Sequence, residues 1–399
     1  MKTLNSNRKI KIDIKAYALI IALLFIWLLF GSLTGGIFFS SRNLSNLLRQ
    51  MTIVSFLSIG MTLVIITGNI DLSVGSVTGF IGVIAAYLQA VMLPEILPGL
   101  FPSLSAEGLG ILSTIVTIII CLLVSILVGI YQGYIIAYLK VPAFIVTLGG
   151  MLIFRGAILG VSGGRTIVPV ENSLRWVAQG YLPKNLGIIL VVITTMVIFL
   201  MSLRSRNKKK KYGFKIKPLN YDLMMASAYS VLVLGSVLIV NNYRGVPNPV
   251  IIMVVIAILV TYLANNTKFG RYVYALGGNI EATKFSGINV QFVIFKVFIL
   301  MGLLSGVAGI VLTGYVAAGT IGGGLNYELT AIGGCVIGGT SLMGGRGTVL
   351  GALIGTLIVA SLENGMSIMN MSVFWQYMVK GLVLILAVYV DVASKKNNS

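Results

Sequence analysis

Long apolar runs alternate with short polar stretches along almost the whole chain. A helix needs about 20 mostly apolar residues to cross the hydrocarbon core of a bilayer. Runs of about that order lie near 16–39, 47–67, 72–93, 109–139, 142–161, 186–203, 221–241, 248–266, 291–318, 327–344, 347–366 and 373–391. This predicts an all-α integral membrane protein with about twelve transmembrane segments. Several runs are interrupted by glycines, so some of the helices are expected to be broken or re-entrant. One transmembrane domain then occupies 16–391, between short tails at 1–15 and 392–399.

Two polar stretches stand out between the runs. Residues 204–217 read RSRNKKKKYGFKIK, the strongest basic run, and with 218–220 form one predicted loop. Residues 268–290 read KFGRYVYALGGNIEATKFSGINV. There Tyr272, Ala275, Leu276, Ile280, Ala282, Phe285 and Ile288 recur at roughly helical spacing, which predicts short amphipathic helices broken at Gly277-Gly278. A paired glycine lets the backbone turn where a side chain would clash. Such a stretch is either an ordinary connecting loop with a surface helix or an element presented to a soluble partner.

The basic residues orient the chain. With the N-terminus inside and the runs alternating, the inner segments hold Lys2, Arg8, Lys9, Lys11, Lys15, Lys140, the basic run from Arg204 to Lys217, Lys268, Arg271, Lys284, Arg346, Lys395 and Lys396. The outer segments hold Arg42, Arg49, Arg165, Arg175, Lys184 and Arg244. Short inner loops carry the excess of Lys and Arg, so both termini and 268–290 are expected in the cytoplasm. The longer outer connections, 94–108 and 162–185, carry Pro94, Pro98 and Pro102 in the first and the interfacial aromatics Trp176 and Tyr181 in the second.

Composition removes several function classes. Hydrophobic residues make up 57% of the 399 and charged ones only 10%, which does not suit a water-soluble fold. The net charge of +19 lies in clusters between apolar runs, the pattern of topology-setting charge and contact with anionic lipid rather than with nucleic acid. The chain has no histidine, so the commonest general base and metal ligand are absent. Cys121 and Cys335 both lie in apolar runs and read as buried small hydrophobes, not as a disulfide or metal site. The first apolar run is too long for a cleavable signal and reads as a retained span. No stretch fits the phosphate-binding G-x-x-x-x-G-K-[ST] pattern: Gly339 to Gly344 is followed by Gly345-Arg346. No catalytic residues, metal ligands or cofactor of its own are expected, and the chain is not expected to be an enzyme.

Acids inside apolar runs are costly and mark bundle interiors or water-filled paths. Asp71, Glu328 and Glu363 qualify. Asp71 either caps a helix beginning at Leu72 or lines a solute path, where a carboxylate accepts hydrogen bonds from hydroxyls. Glu328, which follows Gly322-Gly323-Gly324 and Asn326, is open to the same two readings. Glycines repeat every fourth residue at Gly129 and Gly133, Gly302 and Gly306, and Gly347, Gly351 and Gly355, which suits close helix packing or a dimer seam.

Several of these strings resemble one family. Gly270-Arg271-Tyr272, Ala275-Leu276-Gly277-Gly278-Asn279, Ala282 and Ser286-Gly287-Ile288 are similar to the cytoplasmic coupling segment of the ribose/xylose/galactose class of bacterial ABC sugar permeases. Gly68, Ile70-Asp71-Leu72-Ser73-Val74-Gly75, Tyr327-Glu328-Leu329, Val336 to Leu342, Gly344-Gly345 and Asn364-Gly365 match in the same order. The resemblance covers about 44–391. Many members carry an acid two residues after the matched glutamate, where this chain has Thr330. Ribose-type permeases lack a counterpart to about 186–246, and in having it this chain resembles the xylose type. The resemblance implies a permease subunit of the cytoplasmic (inner) membrane that imports xylose or a similar monosaccharide by alternating access. It implies a second permease copy, a cytoplasmic tandem-domain ATPase that holds ATP and Mg, and an extracytoplasmic sugar-binding protein as partners. Gly277, Gly278, Asn279, Glu281, Ala282, Ser286, Gly287 and Ile288 would then couple to the ATPase. Asn69, Asp71, Ser73, Asn326, Glu328, Glu363 and Asn364 would lie along the path. The alternative from another class is an ion-coupled secondary transporter of a small polar solute, for which broken helices and intramembrane acids are also suited; a membrane scaffold is a third reading.

Overall fold

The computed structural model describes residues 14–213 and 218–396. The predicted tail 1–15, apart from its last two residues, the part 214–217 of the basic loop, and 397–399 lie outside the described residues. The described chain is helical throughout, with only two isolated β-bridges, Ile167 with Gly319 and Tyr181 with Pro247. In order the helices are α1 (Ile14–Leu33), α2 (Ser41–Ile66), α3 (Val74–Tyr87), α4 (Leu93–Leu100), α5 (Ala106–Ala137), α6 (Ala143–Ser162), α7 (Asn172–Gln179), α8 (Lys184–Lys211), α9 (Leu219–Asn241), α10 (Asn248–Asn266), α11 (Lys268–Gly278), α12 (Ile280–Phe285), α13 (Val290–Val316), α14 (Tyr327–Ile337), α15 (Val349–Ile368) and α16 (Val373–Lys396). One π-helical turn at Leu88–Met92 joins α3 and α4 into a continuous rod.

Among the described residues nine helices are long and apolar enough to cross a membrane, with α3 and α4 counted as one. Each of the twelve predicted runs coincides with a helix, but three of them, 16–39, 327–344 and 373–391, fall outside the nine, their apolar helices among the described residues being shorter, and at 327–344 the reason is a break. Its helix α14 stops at Ile337 after 11 residues, and 338–348 turns through Gly339, Gly344 and Gly345, all at positive φ. A helix of that length rises about 16 Å, roughly half the hydrocarbon thickness. The glycines end it because they alone enter the left-handed region without strain.

Helix α2 forms the centre, with nearly every residue from Met51 to Ile66 buried against α13, α14 and α15. Some of the buried polar groups along it are bonded across the seam. Thr356 Oγ1 donates to Ser58 Oγ (2.8 Å), and Cys335 Sγ donates to the Ser58 carbonyl (3.3 Å). Both cysteines are free and buried, as read from their apolar surroundings. The small-residue stripes are filled within the chain. A side chain on Gly129 would meet the Phe298–Ile299 backbone of α13, and one on Gly302 would meet Ser125 and Gly129 of α5. Gly351 and Gly355 of α15 likewise abut Gly338 and Gly334. These glycines let helices of one chain approach backbone to backbone, and no surface is left on them for a dimer seam.

The hairpin α8–α9 stands apart. Only Gly187 and Val191 of α8 are buried, and the rest of its face is apolar and open. Its 28 residues rise about 42 Å, more than the hydrocarbon core, so the turns carrying Arg204 to Lys211 project past it. There Arg206 pairs with Asp222 at 2.7 Å.

Candidate functional site

Two glycine-built junctions carry the residues singled out by sequence. The first lies where α11 and α12 meet the core. Thr267 caps α11 by accepting from the Gly270 N–H, and Gly270 lets the chain turn hard against Ala264. Val273 and Leu276, one turn apart, face α2 and α13 and are buried. Helix α11 runs through Gly277 and Gly278, and the break comes one residue later. There Asn279 is extended (φ −161°) and accepts from the Ala282 N–H at 2.9 Å, capping α12. The predicted turn at the glycine pair is therefore corrected. Gly277 is needed for contact rather than for turning: any side chain there would collide with the Ile66 carbonyl and the Gly345 N–H, which are themselves hydrogen-bonded at 2.9 Å. Gly278 is open to solvent with nothing near it.

The amphipathic face is also displaced from the predicted one. Ala275, Ile280, Ala282 and Phe285 point outward, while Val273, Leu276 and Thr283 are buried. The reason is the break at Asn279, which resets the helical phase between α11 and α12. Phe285 is 86% exposed, and Met343, which lines a cleft of about 280 Å³, is 80% exposed. The cleft is lined by Thr67, Gly68, Leu276 to Glu281 and Met343. Glu281, Ser286 and Gly287 are exposed and Ile288 half-buried; Gly287, at φ +76°, ends α12. Tyr274 was not singled out by sequence. Its hydroxyl donates to the Gly347 carbonyl at 2.8 Å and ties α11 to the loop before α15. Burial pushes its phenol above the ordinary value.

The second junction lies where α3, α6 and the start of α14 converge. Helix α3 begins at Val74, two residues later than expected, because Asp71 and Ser73 form a tight turn first. Asp71 Oδ1 accepts from the Ser73 N–H (2.8 Å) and Ser73 Oγ (2.7 Å). Gln132 of α5 donates to Ser73 Oγ at 2.8 Å, a partner that a lone amide in an apolar run does not announce. Asp71 is 2% exposed, so in this conformation it holds the turn before α3. The loop 317–326 descends beside it. Gly319 pairs with Ile167 near the end of α6, while the Gly323 carbonyl accepts from Arg155 Nη1 at 3.1 Å. Arg155 lies two turns below Ser162, so the loop dips about 10 Å into the bundle before α14 starts. Glu328 is in the first turn of α14, 7% exposed, with Oε2 lacking a hydrogen-bond partner. Arg155 and Asp71 are both near enough to act on it electrostatically.

The remaining predicted path residues sit elsewhere. Asn69 donates to Thr67 Oγ1 (3.0 Å) at the edge of the first junction. Asn326 precedes α14 in the left-handed conformation and lines an apolar cavity of about 130 Å³ with Leu329, Tyr377 and Leu384. Glu363 pairs with Lys380 of α16 at 2.8 Å. Asn364 makes a reciprocal amide pair with Asn43 of α2 (2.8 and 3.0 Å), at the end of the bundle away from α11. Thr330 donates to the Asn326 carbonyl and faces a cavity of about 30 Å³ with Glu363.

Nine apolar helices long enough to cross a membrane, with glycine-built junctions between them, suit a membrane permease. The chain belongs to the family described as branched-chain amino acid transport system / permease component, matched over residues 43–388. It is similar to the xylose transport system permease protein XylH of Haemophilus influenzae, 42% identical over 388 residues, covering 96% of this chain and 98% of that protein. The XylH of Escherichia coli K12 is 40% identical over 387 residues, covering 97% and 94%. The ribose import permease protein RbsC of Haemophilus influenzae is 34% identical over 354 residues, covering 89% and 86%. No solved structure matches the chain.

Proposed function

We propose that this chain is the membrane-spanning subunit of an ATP-driven importer of xylose or a similar monosaccharide. As a permease component it is a multi-pass protein of the cytoplasmic (inner) membrane, and the sugar permeases it resembles over nearly their whole length support a sugar as cargo. An ion-coupled transporter is not favoured by these relatives. Hydrolysis of ATP belongs to a separate tandem-domain ATPase on the cytoplasmic face, with a second permease copy and an outer sugar-binding protein completing the assembly. Both termini lie in the cytoplasm on this reading.

The observation that carries the reading is the junction at Gly277. Ile280 and Met343 stand exposed in a cleft that also holds Thr67 and Gly68 at the end of α2, and Phe285 is exposed on α12, so a subunit docked there would push on the central helix itself. Lys268, Arg271, Glu281, Lys284 and Arg346 are all exposed. Movement at Gly277 would pass through the Ile66 and Gly345 backbone into α2 and the 338–348 loop, and switch the path between its two openings. Asn69, Asp71, Ser73, Asn326, Glu328, Glu363 and Asn364 are proposed along that path. The test is recovery of a tandem-domain ATPase with the tagged permease in mild detergent. Phe285→Ala and Glu281→Ala should retain the fold yet lose sugar-stimulated ATPase. Full ATPase stimulation and uptake in both variants would remove the docking role; uptake driven by a proton gradient with no ATPase recovered would replace the reading.

A further inference from the structure

We propose that Arg155 and Glu328 together form the mid-depth contact for the hydroxyls of an uncharged solute, with Arg155 a specificity-determining residue of the path. This rests on the sugar-import reading and adds to it a residue and a recognition chemistry.

Three observations converge. Arg155 is a charge on an otherwise apolar helix, a costly placement that marks paths and relays. It makes one hydrogen bond, to the Gly323 carbonyl, although a guanidinium has five N–H donors. A strap to a carbonyl alone needs no charge, since an amide or hydroxyl would serve. Second, Glu328 keeps Oε2 without a partner while being 93% buried by the complement of its 7% exposure. Leaving such an oxygen bare is expensive unless something else binds it. The two groups influence each other, yet they stop short of an ion pair within 4.0 Å. Third, the place is kept clear by glycine. A side chain on Gly75 would strike the Glu328 carboxylate and the Gly324 carbonyl, and one on Gly79 would strike the Gly323 carbonyl.

The chemistry fits a polyol. A hydroxyl donates one hydrogen bond and accepts others; a carboxylate only accepts and a guanidinium only donates. A sugar hydroxyl set between them satisfies both. A bidentate ion pair would instead be closed to it. The location also fits, because Glu328 opens a half-helix at mid-depth, where transporters of broken-helix design place their cargo. In the conformation seen the carboxylate is covered, so the contact forms as α6 and the loop 317–326 part. The bond from Arg155 to the Gly323 carbonyl is the one that separation would exchange for solute.

The experiment uses the complete transporter, with its ATPase and binding protein, in proteoliposomes with radiolabelled xylose and ribose. Arg155→Gln and Glu328→Gln should each cut the rate of uptake about tenfold, the effect of one lost hydrogen bond to a charged group. They should also change the xylose-to-ribose ratio while Tm stays near wild type. Arg155→Lys, which keeps charge and a donor, should restore part of the rate. Unchanged uptake and ratio in the variants, with active wild type, would overturn the proposal. So would a parallel fall in Tm, basal ATPase and uptake with the sugar ratio preserved, which marks Arg155 as a structural strap. If the wild-type complex imports neither sugar with ATP, the importer reading fails, and this inference falls with it.

Discussion

The junction at Gly277 and the junction at Gly75 and Gly79 are built alike and equipped differently. In both, glycine lets one backbone rest on the carbonyl of another. At Gly277 nothing charged enters the contact; it is carbonyl, N–H and glycine, with apolar side chains turned outward on the far side. At Gly75 and Gly79 the same close approach brings in the carboxylate of Glu328 and the guanidinium of Arg155. A glycine contact sets only the distance between elements. The side chains it brings near differ: apolar ones turned outward at Gly277, a carboxylate at Gly75 and a guanidinium bonded to the Gly323 carbonyl at Gly79.

The comparison can be broken from the Gly277 side first. Gly277→Ala should cost the most, about 1–3 kcal/mol or more, because the methyl meets backbone that cannot rotate away; a fall in Tm of the purified permease checks it. Gly79→Ala should cost less, within about 1–3 kcal/mol, because the partner is a loop that can retreat. Its larger effect should be on uptake, since the loop carries Gly323, and a variant with normal Tm and normal uptake would separate that junction from the path. Asn279→Ala removes the cap of α12 and should cost about 1 kcal/mol, with weaker ATPase stimulation as the helix start frays. Gly278→Ala should be near neutral or stabilise by up to about 1 kcal/mol, since the position is helical and open. Equal losses from Gly277→Ala and Gly278→Ala would show that flexibility of the pair matters rather than contact.

Much of this was legible along the chain. Long apolar runs marked the helices because in a membrane the backbone bonds must close within each segment. The glycine interruptions marked broken elements, and α14 is one. Asp71 was expected to cap a helix beginning at Leu72; instead it closes the turn at Ser73, and the helix, which starts at Val74, has no side-chain cap. The packing reading of Gly129, Gly133, Gly302 and Gly306 matches the α5–α13 contact. Arg155 left a signal, as a charge inside an apolar run, but nothing along the chain joins it to Gly323 or Glu328. The pairing of Asn43 with Asn364 gave no signal at all, since two amides more than 300 positions apart share no period.

What the sequence by itself determined is therefore the solvent this chain lives in, the rough limits of its apolar helices and, through resemblance, its family. Those follow from composition and local periodicity, which act within one helix. Only the tertiary structure decided which glycines turn the chain and which bear contact, that Ile280 and Phe285 face outward while Val273 goes in, that Glu328 lies against Gly75 and that Arg155 bonds the Gly323 carbonyl. Such facts depend on distances between elements far apart in the chain, and those distances are set when close-packed helices settle on a single arrangement.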